Sequence, residues 1–476
     1  MDGSAEETFL SKLREIVGSN NVLTDRDDLA AYVIDARRRY EGTTMAVARP
    51  ATTDEVSKIV ALCSREKVAV IPQGGNTGMC GGATPLLKDR ASIVVALGRM
   101  NKVRHLDPAN NTIAVDAGCT LSSIQAAATE VERLFPMSLG SEGTCQIGGN
   151  IATNAGGTSV LRYGPMRDLV LGIEAVLPDG RIVDAMKGLR KDNTGFALKH
   201  LFIGSEGTIA IITGAVLKLV AKPAKSSVAM VGLADIDQVL DLLHKVQMAV
   251  GDRLTNFEVL SSGQYDLIMN LPKGLQNPLA EQHAWITIIE LTDPDPKAEL
   301  DELLASILYE AMEAKIVDEA ILANSDAKAE LIWEIRHSVT EANVNAGLTF
   351  SHDTSVPVSR VPHFVTDVQK HIGERFPEAK VVFVGHVGDG NIHAVVILPR
   401  ELKTDKAAVD ALAAAVNATI DEVAISLAGS ISAEHGIGRS NRARLHSYLD
   451  DTQLALMRGI KSVFDPEGIM NPNVLF

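Results

Sequence analysis

Two glycine-rich runs in the first third of the chain limit what it can fold into more than any other feature. The first is Pro72-Gln73-Gly74-Gly75-Asn76-Thr77-Gly78, directly after the apolar, strand-like Val68–Ile71. The second extends from Gly140 to Gly157 and carries Ser141, Thr144, Gly148, Gly149, Asn150, Ala152, Thr153 and Gly156. Glycine lets backbone approach a ligand closely and adopt positive φ. Successive unpaired N–H groups in such turns form a concave anion site. Any one run reads equally as a set of tight turns. Two of them, interleaved with Asn, Ser and Thr, point to a long ligand carrying a pyrophosphate. Neither fits GxGxxG or GxxxxGK[ST], which argues against a Rossmann or P-loop site.

A length of 476 residues implies two or three domains. The formal charge of −15 excludes a nucleic-acid partner, which needs dense Lys and Arg. Cys63, Cys80, Cys119 and Cys145 form no CxxC pair, so a disulfide framework is not expected and a reducing compartment is. Residues 1–20 are acidic and mixed, unlike a secretory signal or an Arg-rich transit peptide. No run reaches membrane-spanning length. The expectation is a cytoplasmic protein that is not integral to a membrane. A homodimer is expected only from the frequency of symmetric assemblies.

The opening segment, with Phe9, Leu10, Leu13, Ile16 and Val17, has helical spacing. From about Met45 to Val220, strands and short helices alternate among many glycines. Lys222–Lys225 reads as a linker around Pro223. Beyond it, Val228–Leu233, Trp285–Leu291 and Val381–Val384 read as strands. Asp235–Val250, Pro296–Ala314, Ala327–Ala346 and Lys406–Leu427 read as helices, the first N-capped by Asp235. The fold class is α+β. Residues 1–221 form one domain, 222–429 a second with one sheet and helices on one face, and 430–476 a segment returning to the first.

Three further motifs carry chemistry. Gly385-His386-Val387-Gly388-Asp389-Gly390-Asn391-Ile392-His393 places two imidazoles about an Asp-Gly hairpin turn. Bare H-x6-H spacing reads as readily as two turn residues bonded to backbone. Glu434-His435-Gly436-Ile437-Gly438 adds a carboxylate and a third imidazole. Together they have the composition of a catalytic metal site with open positions. In Trp333–Thr340, Arg336 and Thr340 are four apart on an expected helix and could clamp a carboxylate. On its own this pair reads more simply as a surface Arg on a charged helix.

On these residues the chain resembles two groups. Pro72–Gly78, Asp116-Ala117-Gly118, Pro136–Gly157 and Gly204–Ile209 resemble the FAD-binding domain of vanillyl-alcohol-oxidase-type flavoproteins. The resemblance implies FAD held by these loops, among them Gly118, Pro136, Gly207 and Ile209. Asn76 stands near the place where some relatives carry a flavin-linked His, so non-covalent FAD is expected. The motifs G-H-x-G-D-G-N-x-H and E-H-G-x-G resemble the C-terminal half of FAD-linked D-2-hydroxyacid dehydrogenases, the D-2-hydroxyglutarate enzymes above all. That implies zinc on His386, His393 and Glu434, and His435 as general base. It implies a 2-hydroxydicarboxylate bound by Arg336, Thr340, Ser351 and Asn391, and Asn471 near the flavin. Ser351 stands where animal members have Lys, and Val395 where Asn is common. The reaction implied is oxidation of D-2-hydroxyglutarate, or a relative such as D-malate, to the 2-oxoacid. The electron acceptor implied is a quinone or an electron-transfer flavoprotein. D-Lactate or glycolate oxidation is the near alternative. A metal-dependent hydrolase is the remote one.

Overall fold

The amphipathic spacing at the N-terminus is realised as the helix Gly3–Val17, which buries Phe9, Leu10, Leu13 and Val17. The helix Thr53–Glu66 follows the same rule. Thr52 accepts the Glu55 N–H at its start, Val56, Ile59, Val60 and Cys63 are buried, and Lys67 ends it at φ 56°. The strand Ala69–Gln73 comes next, parallel to Ser92–Ala96. The first glycine loop therefore leaves the carboxyl end of a parallel strand, where open α/β sheets place ligands.

The computed structural model describes residues 3–476. They divide into two compact units. The first unit holds the chain up to Gly157, then Tyr163–Lys222 and Glu434–Phe476. It has a four-stranded sheet in the order Val22–Leu23, Ala46–Ala48, Ser92–Ala96, Ala69–Gln73, parallel in its last three strands. Its five-stranded sheet is antiparallel, in the order Val103–Asp107, Thr112–Asp116, Ile211–Lys218, Val170–Val176, Ile182–Ala185. The late chain is stitched to the first sheet. Val70 donates to the Ile469 carbonyl at 2.8 Å, and Asn471 donates to Val70 at 2.8 Å.

The second unit comprises Thr158–Arg162 and Pro223–Ala433. Its seven strands run in the order Glu319–Leu322, Lys225–Leu233, Trp285–Asp293, Leu254–Ser261, Lys380–His386, Asn391–Leu398, Leu348–Ser355, all antiparallel. Helices cover both faces of this sheet, not one. Ile236–Val250, Leu300–Glu313, Val361–Arg375 and Lys406–Ser426 pack over Phe257, Ile289 and Phe383. Ser262–Met269, Asp326–His337 and Val339–Ala346 cover Met230, Leu260, Ile288 and Val384. The cause is visible in Trp285–Asp293, where Ile286 and Ile288 face one side and Ile289 and Leu291 the other. A strand apolar on both faces needs a cover on both.

The expected helix over 327–346 is two helices, divided at Ser338. Ser338 donates its hydroxyl to the Glu334 carbonyl at 2.8 Å and receives a bond from Lys273 Nζ at 3.2 Å. Serine back-bonding of this kind competes with the helix ladder. The strands Leu254–Ser261 and Leu348–Ser355 are among the elements that periodicity does not announce. Both mix polar residues into each face. Ile289 is fully buried in the larger core of this unit. Ile289→Ala should lower its unfolding free energy by about 3 kcal/mol, read from urea denaturation.

Candidate functional site

The two glycine runs meet in a cleft of the first unit. Its walls include Pro72, Gly74, Gly75, Asn76, Thr77 and Gly78 from the first run and Gly148, Gly149, Asn150, Ala152 and Thr153 from the second. Gly207, His435 and Asn471 complete it. The close approach is what demands glycine. A Cβ on Gly75 would lie 2.0 Å from the Thr144 carbonyl oxygen, and one on Gly148 would lie 2.7 Å from Ala117 Cβ. Asn76, at φ 53°, donates to the Ile34 carbonyl at 2.8 Å and so fixes its loop. Gln146 Oε1 and Asn471 Oδ1 are buried on this wall without a partner. Flavin-ring N–H and ribityl hydroxyls are donors of the kind they lack, so these residues fit FAD.

Gly118, Pro136, Gly140, Ser141, Thr144, Gly156, Gly157 and Ile209 do not line the cleft. Several of them support it. The Ser141 carbonyl accepts the Thr144 N–H at 2.9 Å, and Gly118 sits so tightly under Leu97 that a Cβ would be 2.1 Å from that carbonyl. Gln73, Gln146 and Glu206 line the cleft without having been expected there.

Glu206 ties the cleft together. Its carboxylate accepts the Ile437 N–H at 2.8 Å and the Gly438 N–H at 2.7 Å. Its own N–H donates to the Ala152 carbonyl at 2.8 Å, and its carbonyl accepts from Asn471 Nδ2 at 2.8 Å. It thus holds the turn that follows His435. Burial pushes the Glu206 carboxyl up to about 7, against the downward pull of the Ile437 and Gly438 N–H groups. His435 lies in the same wall, its Nε2 3.8 Å from Glu434 Oε1.

The second unit gathers its polar groups by register. Glu258 pairs with His386, and His386 with Asn391. His393, two residues on, pairs with Asp353. Residues paired directly, and those two apart along a strand, share a face. Glu258, His386, Asn391, His393, Asp353 and Ser351 therefore stand on one face of the sheet. The helix Asp326–His337 covers that face through Ile332 and Ile335, and it also carries Arg336. The Glu258 side chain, 0% exposed, receives Arg336 Nε at 2.7 Å and bonds His386 Nδ1 at 2.6 Å. Burial pushes this carboxyl up. The charges of His386 and Arg336 and their hydrogen bonds outweigh that and hold it below the usual carboxylate range.

With Nδ1 bonded to Glu258, Nε2 is the His386 atom suited to ligate a metal. The His386 and His393 rings stand 6.0 Å apart at 83°. Glu434 directly follows Ala433, whose N–H reaches the Asp353 carbonyl at 3.3 Å within the second unit. One ligand atom from each of His386, His393 and Glu434 lies within 4.8 Å of the others. Two neutral nitrogens and one carboxylate make a donor set suited to a divalent ion such as zinc.

Asn391, 5% exposed, donates to Asp353 Oδ1 at 3.4 Å, and its own Oδ1 has no partner. Thr340 is exposed on the helix after the break, and among the described residues no hydrogen bond joins it to Arg336. Ser351 is exposed at the strand position opposite Val395, which packs with Val382 and Ile397. Glu258 was not foreseen. Its signal was a single carboxylate in the otherwise uncharged Leu254–Ser261.

Two outcomes follow from the first unit's geometry. Gly75→Ala should lose bound flavin, read as the ratio of visible to ultraviolet absorbance after gel filtration. Glu206 binds its proton more tightly folded than unfolded, so its contribution to stability is greatest below the ordinary 4.5 and is lost as pH rises towards about 7. The melting temperature of wild type minus that of Glu206→Gln should therefore fall between pH 5 and pH 8. A difference that rises would contradict the assignment.

The FAD binding domain family matches residues 44–186, and the C-terminal domain family of FAD linked oxidases matches residues 222–475. A mitochondrial D-2-hydroxyglutarate dehydrogenase of Arabidopsis thaliana is 35% identical over 98% of this chain and 81% of its own. That of Danio rerio is 36% identical over 94% and 82%. A putative mitochondrial D-lactate dehydrogenase of Schizosaccharomyces pombe is 34% identical over 98% and 88%. Among solved structures, p-cresol methylhydroxylase superposes with TM-score 0.77 at 15% identity, covering 99% of this chain and 97% of that one. Alkyldihydroxyacetonephosphate synthase superposes with TM-score 0.73 at 17% identity, covering 98% and 84%. These establish the vanillyl-alcohol-oxidase-type α+β fold. They also correct the cytoplasmic expectation, because the three relatives carry mitochondrial names. No helix among the described residues is long and apolar enough to cross a membrane. The chain belongs to the FAD-linked oxidases and is an FAD-dependent dehydrogenase.

Proposed function

We propose that this enzyme oxidises D-2-hydroxyglutarate, or a related D-2-hydroxydicarboxylate such as D-malate, to the 2-oxoacid. The observation that carries the reading is Glu258, which links an arginine suited to a substrate carboxylate with an imidazole suited to a metal. The names of the Arabidopsis and Danio relatives support the substrate class. The first unit binds FAD non-covalently along the glycine cleft, and the second binds substrate.

Each residue then has a defined task. His386, His393 and Glu434 hold a divalent ion, most simply zinc, which would lower the pKa of a hydroxyl that it contacts. Arg336 has its Nε proton on Glu258, which leaves its two Nη groups to bind the far carboxylate. Thr340, Ser351 and Asn391 contribute further polar contacts to the substrate. His435 accepts the hydroxyl proton at an imidazole nitrogen, a task suited to a group whose pKa lies near operating pH. FAD held in the glycine cleft would supply the hydride acceptor for the Cα hydrogen. Asn471 fixes the cleft wall through bonds to the Gly82 and Glu206 carbonyls. Neither glycine run has a dinucleotide fingerprint, so a quinone or an electron-transfer flavoprotein is assigned as reoxidant.

His435→Asn should keep its flavin and lose flavin reduction by about 10²- to 10⁴-fold in anaerobic stopped-flow mixing with D-2-hydroxyglutarate. Undiminished reduction would remove His435 from the base role. The S. pombe relative keeps a monocarboxylate reading in view. Mixing with D-2-hydroxyglutarate, D-malate, D-lactate and glycolate separates the two. The proposal requires the dicarboxylates to reduce the flavin faster, with Arg336→Met erasing that preference. Faster reduction by D-lactate would assign the enzyme to monocarboxylates.

A further inference from the structure

In a protein of net charge −15, arginines with buried, unmatched donors are anomalous. Arg439 and Arg442 of the first unit, on the segment that follows the His435 turn, are such residues. Arg439 donates Nη1 to the Pro472 carbonyl at 2.7 Å, and its N–H bonds the Cys80 carbonyl at 2.9 Å. Its Nε and Nη2 are buried without an acceptor. That edge is the fork through which a guanidinium grips a carboxylate or phosphate by two parallel bonds. Arg442 has a buried Nε without an acceptor, and its Nη1 reaches Asn473 Oδ1 at 3.4 Å. His446 stands one helical turn beyond Arg442 in Arg442–Tyr448, and its buried Nε2 also lacks a partner. Among the described residues, neither guanidinium has an ion-pair partner within 4 Å. Burial, and then the charge of Arg442, lowers the Arg439 pKa to about 10. A buried cation beside a second cation, with donors unmet, is costly unless an anion completes it.

We propose that Arg439, Arg442 and His446 form a binding site for a free oxyanion, a carboxylate or phosphate group, in the first unit. The Nε–Nη2 edge of Arg439 takes two oxygens, and Arg442 and His446 supply the flanking donors. The site goes beyond the proposed reaction, which uses none of these side chains. Cys80 and Asn471 belong to the cleft wall, so the same donors could instead serve the cofactor's own pyrophosphate.

The holoenzyme distinguishes these sources. Its melting temperature is followed against sodium phosphate and sodium succinate, with sodium chloride at matched ionic strength as reference. The proposal expects saturable stabilisation by phosphate, succinate or both, beyond that of chloride. Arg439→Gln should weaken half-saturation by about tenfold or more with flavin content unchanged. Arg442→Gln, at a less enclosed position, provides the same test should the first variant fold poorly. A response no larger than that of chloride would overturn the proposal, as would a response that both variants retain. Loss of flavin in a folded variant would also overturn it, by assigning the cations to the cofactor.

Discussion

A buried carboxylate between a guanidinium and an imidazole governs the chemistry of the second unit. Isolated, Glu258 would be too costly to keep ionised inside a protein. With Arg336 Nε on one oxygen and His386 Nδ1 on the other, it is satisfied at both ends. The consequences run outward from there. The His386 ring is oriented through Nδ1, and the Arg336 fork is held at a set angle. The residue that orients the candidate metal ligand also orients the candidate carboxylate clamp. Substituting either partner would leave the other charge buried, so the three side chains behave as one group.

The first unit meets a different constraint with different means. Its cleft must bring backbone, not side chains, against a ligand. Gly75 and Gly148 answer to Thr144 and Ala117 at distances that no side chain would tolerate. Glu206 then fastens the helix Ile147–Ala152, the turn after His435 and Asn471 to one another. The residue assigned as base is therefore held by the same carboxylate that shapes the cofactor cleft. Glu206 is one of the rare non-glycine residues with φ above zero, at 52°. Strain of this kind collects where backbone serves a site.

What could be read from the chain, and what could not, follows from how far the determining contacts reach. The glycine runs, the Asp389-Gly390 turn and the Asp235 cap are local signals, and each formed where its residues stand. The role of Glu258 depends on partners 78 and 128 residues away, and nothing local announces it beyond a lone charge in an otherwise uncharged strand. The break at Ser338 was hidden because a helical period persists on both sides of it. Covering helices on both faces of the large sheet were missed because strands such as Leu254–Ser261 did not declare themselves. Period-two patterning is blurred when polar side chains serve a site on the buried face.

The most direct test of the central claim is a competition titration of zinc into metal-free protein, wild type and Glu258→Gln. If Glu258 sets the ligating nitrogen of His386, wild type binds one ion, and the variant binds it about ten- to a hundredfold more weakly while still folded. Equal affinity in the two proteins, or no zinc binding by wild type, would contradict the account.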